Sequence, residues 1–252
     1  GSLQSSTMPP IPHPLRRRTS LVVSLALALL LLWIPSCRRA EPNAAPETAD
    51  SASALASDLS ADLTTAPKVV FLGDSLTAGL GLAEDRAYPA LVGQALAAQG
   101  QTIRVVNAGV SGDTSAGGLR RLDWLLSQKP DLLVVCLGAN DGLRGLPLEE
   151  TEKNLREIVT RARAAGAKVL FVGMLIPPNY GADYAQGFAA IYPRIAKEFA
   201  RDADFAYVPF LLEGVGGVEE LNQADGIHPN EKGQEKVAQN LVAPLAKLLA
   251  EK

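Results

Sequence analysis

The sequence predicts an α/β domain in three layers, a parallel sheet of about five strands with helices on both faces. Three observations carry this. From Lys68 onward, short runs rich in β-branched residues alternate with longer segments of helical apolar spacing. Leu132 to Leu137 is apolar without interruption, which suits a strand buried on both faces. Polar turns rich in glycine follow the first three runs, where open parallel sheets place their ligands.

Each element has its own warrant. In Lys68-Val69-Val70-Phe71-Leu72-Gly73, four consecutive apolar residues read as a buried strand, Gly73 ends it, and Asp74-Ser75 open the next turn. Ala87 to Ala98 carries Leu91, Val92, Ala95 and Leu96 at helical spacing, and Gly100 stops it. Ile103 to Val106 is a second strand, followed by a loop from Asn107 to Thr114. Leu119 to Leu126 is helical and closed by Pro130, and Leu132 to Leu137 is the third strand, left through Gly138-Ala139-Asn140-Asp141. Then come a helix from Glu149 to Ala164, a strand from Val169 to Val172, a helix from Phe188 to Ala200 and a short strand from Phe205 to Val208. Glu231 to Leu249 makes the last helix, with a kink expected at Pro244. Right-handed crossovers leave few topologies, and a flavodoxin-like one is expected. It gathers the loops bearing Ser75, Gly112 and Asn140 at one edge of the sheet.

Composition narrows the function. Apolar residues make up 47 % of the chain, enough for a substantial core, and the net charge of -3 gives no electrostatic basis for binding nucleic acid. Two cysteines, Cys37 and Cys136, permit one disulfide at most. With only His13 and His228 besides, a usual zinc set is out of reach, so no metal and no cofactor is expected.

The N-terminus reads as an address. Residues 1–7 precede Met8 and read as a cloning or reading-frame remnant. Arg16-Arg17-Arg18 then precede an apolar run, Leu21 to Ile34, and Pro35-Ser36-Cys37. The run is shorter than the roughly 20 residues of a spanning helix and fits a secretory signal peptide over 8–37, with an uncleaved anchor as the alternative. Export to the periplasm or cell envelope is therefore expected. Ile34-Pro35-Ser36-Cys37 resembles a bacterial lipobox, with Pro35 atypical, and makes Cys37 a candidate for lipidation and membrane anchoring. Residues 38–66 lack the apolar mass to order a chain and read as a disordered linker, with a weak helical turn around Leu55, Leu59 and Leu63. The folded domain is then 67–252, expected as a monomer.

Two stretches point to nucleophilic chemistry. Ser75, just past a strand, is a candidate nucleophile, and an Asp/Ser helix cap is the alternative. In Asp225-Gly226-Ile227-His228-Pro229-Asn230, the aspartate stands three residues before the histidine within one tight turn. It can hold the imidazole through Nδ1 and leave Nε2 free, as a Ser-His-Asp system requires; a lone helix-capping histidine is the alternative. Cys136 sits inside an apolar strand and reads as an inert core residue. Asp74 reads as a turn residue bonding backbone N–H groups, and Asp141 as a supporting or capping residue.

Gly73-Asp74-Ser75-Leu76, the Gly112 loop, Gly138-Ala139-Asn140-Asp141 and Asp225-Gly226-Ile227-His228 resemble, in order, the four blocks of the SGNH (GDSL) hydrolases. The resemblance covers Lys68 to Lys252 and is closest to the thioesterase I, lysophospholipase L1 and arylesterase branch. Ser111 to Ser115, Asn140 to Gly145 and Pro178 to Gly181 are similar to that branch too, while Ala139 stands where a glycine is common. The resemblance implies Ser75 as nucleophile, His228 as base and then acid, and Asp225 as its orienting partner. It also implies an oxyanion hole made by the Ser75 and Gly112 N–H groups and the Asn140 amide. Asn140→Ala and Gly112→Pro are expected to lower turnover more than stability.

Leu143, Leu146, Pro147, Ile176, Pro178 and Tyr180 could line a groove for an acyl or aryl group, or simply pack against helices. By resemblance, Gly142 to Leu148 moves over bound acyl groups. The expected reaction is hydrolysis of lysophospholipids, aryl esters or acyl thioesters. A polysaccharide O-deacetylase is the alternative enzyme. A non-catalytic envelope lipid-binding protein is the alternative outside enzymes, although its expected signature, a lost triad or oxyanion residue, is absent.

Overall fold

The computed structural model describes residues 64–250. The signal segment, Cys37 and the turn expected around Leu55, Leu59 and Leu63 lie outside them. Five parallel strands, β1 (Lys68–Gly73), β2 (Arg104–Gly109), β3 (Leu132–Cys136), β4 (Lys168–Val172) and β5 (Phe205–Val208), stand in the order β2-β1-β3-β4-β5. This is the flavodoxin-like order, which reverses direction between β1 and β3.

Strand burial follows position in that order. Every residue of β3 is buried, as are all but the first of β1 and β4, whereas the edge strands β2 and β5 are half-buried throughout. The uninterrupted apolar run therefore does mark a central strand. The helices are α1 (Ser75–Ala78), α2 (Tyr88–Ala98), α3 (Ser115–Ser127), α4 (Ala139–Leu143), α5 (Leu148–Ala164), α6 (Ala182–Phe199) and α7 (Glu231–Ala250). α2 packs against α7, while α3 packs against α5 and α5 against α6, giving a helix layer on each face. Gln234 of α7 ties α1 and α2 together, accepting from the Tyr88 N–H at 2.8 Å and donating to the Leu76 carbonyl at 3.4 Å.

Several boundaries differ from the sequence reading. β2 continues past Val106 to Gly109, because Asn107, Ala108 and Gly109 pair in register with Phe71, Leu72 and Gly73. These residues lack an apolar run because α1 lies over them. A Cβ on Gly109 would come within 2.3 Å of the Ala78 nitrogen, and Asn107 Nδ2 donates to the Thr77 carbonyl at 3.0 Å. α6 begins at Ala182, six residues before Phe188, where the Tyr184 hydroxyl donates to the Leu146 carbonyl at 2.7 Å. α7 runs as one helix through Pro244 to Ala250. The segment leaving β3 is helical, forming α4.

Candidate active site

β1 ends where its chain must turn sharply. A Cβ on Gly73 would lie 1.9 Å from Thr77 Oγ1, so only glycine lets α1 begin this close to the strand. Asp74 caps α1, its Oδ1 accepting from the Leu76 N–H at 3.0 Å, and Ser75 is the first helical residue. The capping reading thus holds for Asp74, and it leaves the Ser75 hydroxyl free for other partners.

That hydroxyl meets His228. Ser75 Oγ lies 2.8 Å from His228 Nε2, and His228 Nδ1 lies 2.6 Å from Asp225 Oδ2. Asp225 Oδ1 accepts the N–H groups of Ile227 at 2.9 Å and His228 at 3.0 Å. The His228 N–H, the Ile227 N–H and the imidazole, in that order, hold the Asp225 carboxyl down at about 2. It is a carboxylate at neutral pH, so Nδ1 carries the proton that faces it and Nε2 is left to accept from serine. The loop is fixed from outside as well: Gln223 N–H donates to the His228 carbonyl at 2.7 Å and Asn230 N–H to the Leu221 carbonyl at 2.9 Å.

Gly112 is the third residue of a turn closed by the Asp113 N–H on the Val110 carbonyl at 3.0 Å, with φ +80° as a type II turn requires there. Proline cannot adopt that angle, so Gly112→Pro would unmake the turn itself, and Asn140→Ala is the informative member of that pair. Asn140 lies in α4, half-buried, and its Nδ2 donates to Asp74 Oδ2 at 3.3 Å. Asp74 is 1 % exposed, and burial pushes its carboxyl up to about 6. Sequence reading missed this second duty of Asp74.

Two further residues behave as read from sequence. Asp141 is buried and accepts from Ser115 N–H at 2.8 Å, from the Ser115 hydroxyl and from Thr151 Oγ1 at 3.3 Å, joining α3, α4 and α5 beside Asn140. Cys136 is buried and its thiol is pushed up to about 12 by that burial, so it supplies no thiolate.

Between Ser75's neighbour Leu76 and Ile227, beside His228, opens a largely apolar cavity of about 370 Å³. Of the six residues proposed for a groove, Leu143, Ile176 and Pro178 line it. Leu146, Pro147 and Tyr180 do not. The Leu146 carbonyl is held by Tyr184, Pro147 caps α5, and Tyr180 stands exposed in the short 3-10 turn Pro178–Tyr180. Met174, Leu175, Phe210, Leu212 and Ile227 line it instead. The apolar run Phe210-Leu211-Leu212, which follows the last strand after Pro209, was the available signal for two of these.

A flavodoxin-order sheet bearing a Ser-His-Asp chain at its carboxyl edge, open to an apolar cavity, is the apparatus of a serine-type hydrolase. The sequence profile of the GDSL-like Lipase/Acylhydrolase family matches residues 71–236. The chain is 46 % identical over 185 residues to Esterase TesA of Pseudomonas aeruginosa, covering 73 % of this chain and 90 % of that one. It is 43 % identical over 185 residues to Thioesterase 1/protease 1/lysophospholipase L1 of Escherichia coli, covering 73 % and 86 %. The crystal structure of the psychrotrophic esterase EstA from a Pseudoalteromonas species, inhibited by monoethylphosphonate, superposes with a TM-score of 0.67 at 34 % identity, covering 73 % of this chain and 99 % of that one. The chain belongs to the GDSL-like lipase/acylhydrolase family, the SGNH hydrolases, and is a carboxylic-ester hydrolase.

Proposed function

We propose that Ser75 is the nucleophile of a two-step acyl transfer, with His228 as its base and Asp225 as the group that orients the imidazole. His228 Nε2 takes the hydroxyl proton as Oγ adds to the ester carbonyl. The tetrahedral oxyanion is met by the N–H groups of Ser75 and Gly112 and by the Asn140 amide. Collapse expels the alcohol, which receives the proton from His228, and water then repeats the sequence on the acyl-enzyme. The observation that carries this reading is the continuous Ser75–His228–Asp225 relay at 2.8 and 2.6 Å.

The substrate class we assign is esters with an extended acyl or aryl group: lysophospholipids, aryl esters or acyl thioesters. Support comes from the apolar cavity beside Ser75 and from what the relatives are called. The test is hydrolysis of p-nitrophenyl esters from acetate to palmitate, beside Ser75→Ala. We expect Ser75→Ala to abolish turnover and the optimum to fall at a chain longer than acetyl. An optimum at acetate would favour the O-deacetylase, and no turnover by folded protein would favour the binding protein. We also assign residues 8–37 to export and Cys37 to lipidation. Intact-mass measurement of the mature protein should find Cys37 as an acylated first residue, and a free Cys37 would refute this.

A further inference from the structure

The scheme above leaves two guanidinium groups at the site's edge unused: the exposed Arg144, whose Nη2 donates to the Gly112 carbonyl at 2.8 Å, and Arg121, which bonds the strand ends themselves. Arg121 lies on α3, and its side chain is 22 % exposed. Its guanidinium reaches back to the carboxyl ends of two strands. Nη2 donates to the Gly73 carbonyl at 2.9 Å, Nη1 to the Ala108 carbonyl at 2.7 Å, and Nε to Asp113 Oδ2 at 2.8 Å. Gly73 stands two residues before Ser75, Ala108 closes on the end of β2, and Asp113 follows Gly112 directly. The Gly73 carbonyl also accepts the Val110 N–H at 3.0 Å, at the start of the Gly112 turn.

Side-chain packing between the paired residues cannot set this spacing. Gly73 and Gly109 pair in register at the ends of β1 and β2, and neither has room for a side chain. The ends are held by backbone bonds, by Asn107, whose Oδ1 accepts the Gly109 N–H at 3.0 Å, and by the Arg121 guanidinium, which alone of these side chains bonds both strands' carbonyls and whose donors form a flat, preset fork.

We propose that Arg121 is a positioning residue of the oxyanion hole, fixing the Ser75 and Gly112 N–H groups at the separation a tetrahedral oxyanion needs. The proposal rests on reading those two groups and Asn140 as the oxyanion donors. Such donors act because they are preorganised, and a misplacement of about 1 Å can cost about 100-fold in rate. Arg121 touches no reacting atom. Lysine carries its donors on one nitrogen and cannot reproduce a fork in which Nε, Nη1 and Nη2 each reach a different acceptor, so Arg121→Lys breaks the clamp while keeping the charge.

The experiment compares Arg121→Lys, Arg121→Met, Asp113→Asn and Asn140→Ala in the full chain. It measures kcat and KM on one p-nitrophenyl ester and the inhibition constant of an alkyl boronic acid. Boron accepts the Ser75 oxygen, the proton passes to His228, and the resulting anionic tetrahedral adduct reports on the oxyanion hole. Thermal melts restrict the comparison to variants folded at the assay temperature. For Arg121→Lys we expect kcat to fall about 10- to 100-fold with KM within about threefold, and boronate affinity to weaken in step with kcat/KM. Asp113→Asn keeps both carbonyl bonds and should lose less than Arg121→Lys. The proposal is overturned if folded Arg121→Lys keeps kcat within about threefold of the parent, or loses rate with boronate affinity intact. It is overturned too if Asp113→Asn loses as much, which would assign the effect to the ion pair. Asn140→Ala with unchanged rate and boronate affinity would instead refute the oxyanion reading beneath it.

Discussion

Two aspartates near the same histidine sit in opposite environments. Asp225 is exposed along one edge and saturated with donors, which hold its carboxyl at about 2. Asp74 is buried with two donors, the Leu76 N–H and the Asn140 amide, and is pushed up to about 6. Between about pH 4, where an unfolded aspartate titrates, and pH 6, the native state therefore binds more protons at Asp74 than the unfolded chain does. Stability from this group falls as pH rises through that window, and above it the ionised carboxylate costs about 3 kcal/mol. Asp74→Asn removes the titration. Denaturant unfolding at pH 4 and pH 7 should show the variant gaining about that much on the parent between the two. A parallel pH dependence for both proteins would contradict the assignment. Activity should move the other way, because an asparagine presents its amide to Asn140 and loosens the side chain assigned to the oxyanion.

The same separation of duties governs the elements. α4 is capped by Gly138, which has φ +108°, and a Cβ there would lie 2.3 Å from the Tyr192 hydroxyl. That hydroxyl donates to the Leu137 carbonyl at 2.9 Å, so it cannot simply withdraw. Gly138→Ala combines left-handed strain with a broken buried hydrogen bond, a loss of about 2–4 kcal/mol. Gly166→Ala is the control, with φ +85° but nothing within 4 Å, and should cost about 1 kcal/mol. Thermal melts would separate the two, and equal losses would mean Tyr192 moves aside freely. Such contacts also mark what could be read from the sequence. The central strands were legible because burial on both faces demands uninterrupted apolar residues, as in β3. Ser75, His228 and Asp225, which the fold brings together, stood out as candidates because the chemistry proposed for them requires particular residue types at turns. The end of β2 was not, since it is covered by α1 through glycine and asparagine rather than apolar side chains. That Leu146, Pro147 and Tyr180 stand outside the cavity was not legible for a related reason. Which residues face the cavity depends on α4 and on the early start of α6, both of which rest on contacts distant in sequence.

At the scale of the whole molecule, a parallel sheet keeps its chemistry and its anchorage at opposite edges. Ser75, Gly112 and Asn140 follow the carboxyl ends of strands, whereas Lys68 and Arg104 begin β1 and β2 about 17 Å away, five residues at the usual rise. At this far edge the segment before β1 is part of the structure. Ala66 is buried and its carbonyl accepts from Arg104 Nε at 2.8 Å, while the Pro67 carbonyl accepts the Arg104 N–H at 2.8 Å. Among the described residues, the bonding of the domain therefore reaches upstream of residue 67. A chain beginning at Thr64 should match the full-length protein in Tm and kcat. One beginning at Lys68 leaves two Arg104 donors without their partners, a loss of about 2–3 kcal/mol or about 4–10 °C in Tm. Its kcat, measured well below the melting transition, should stay unchanged, because every group assigned to the reaction lies at the other edge. A fall in kcat without a fall in Tm would mean that the start of the sheet is coupled to the Ser75 turn, and that the two edges are not independent.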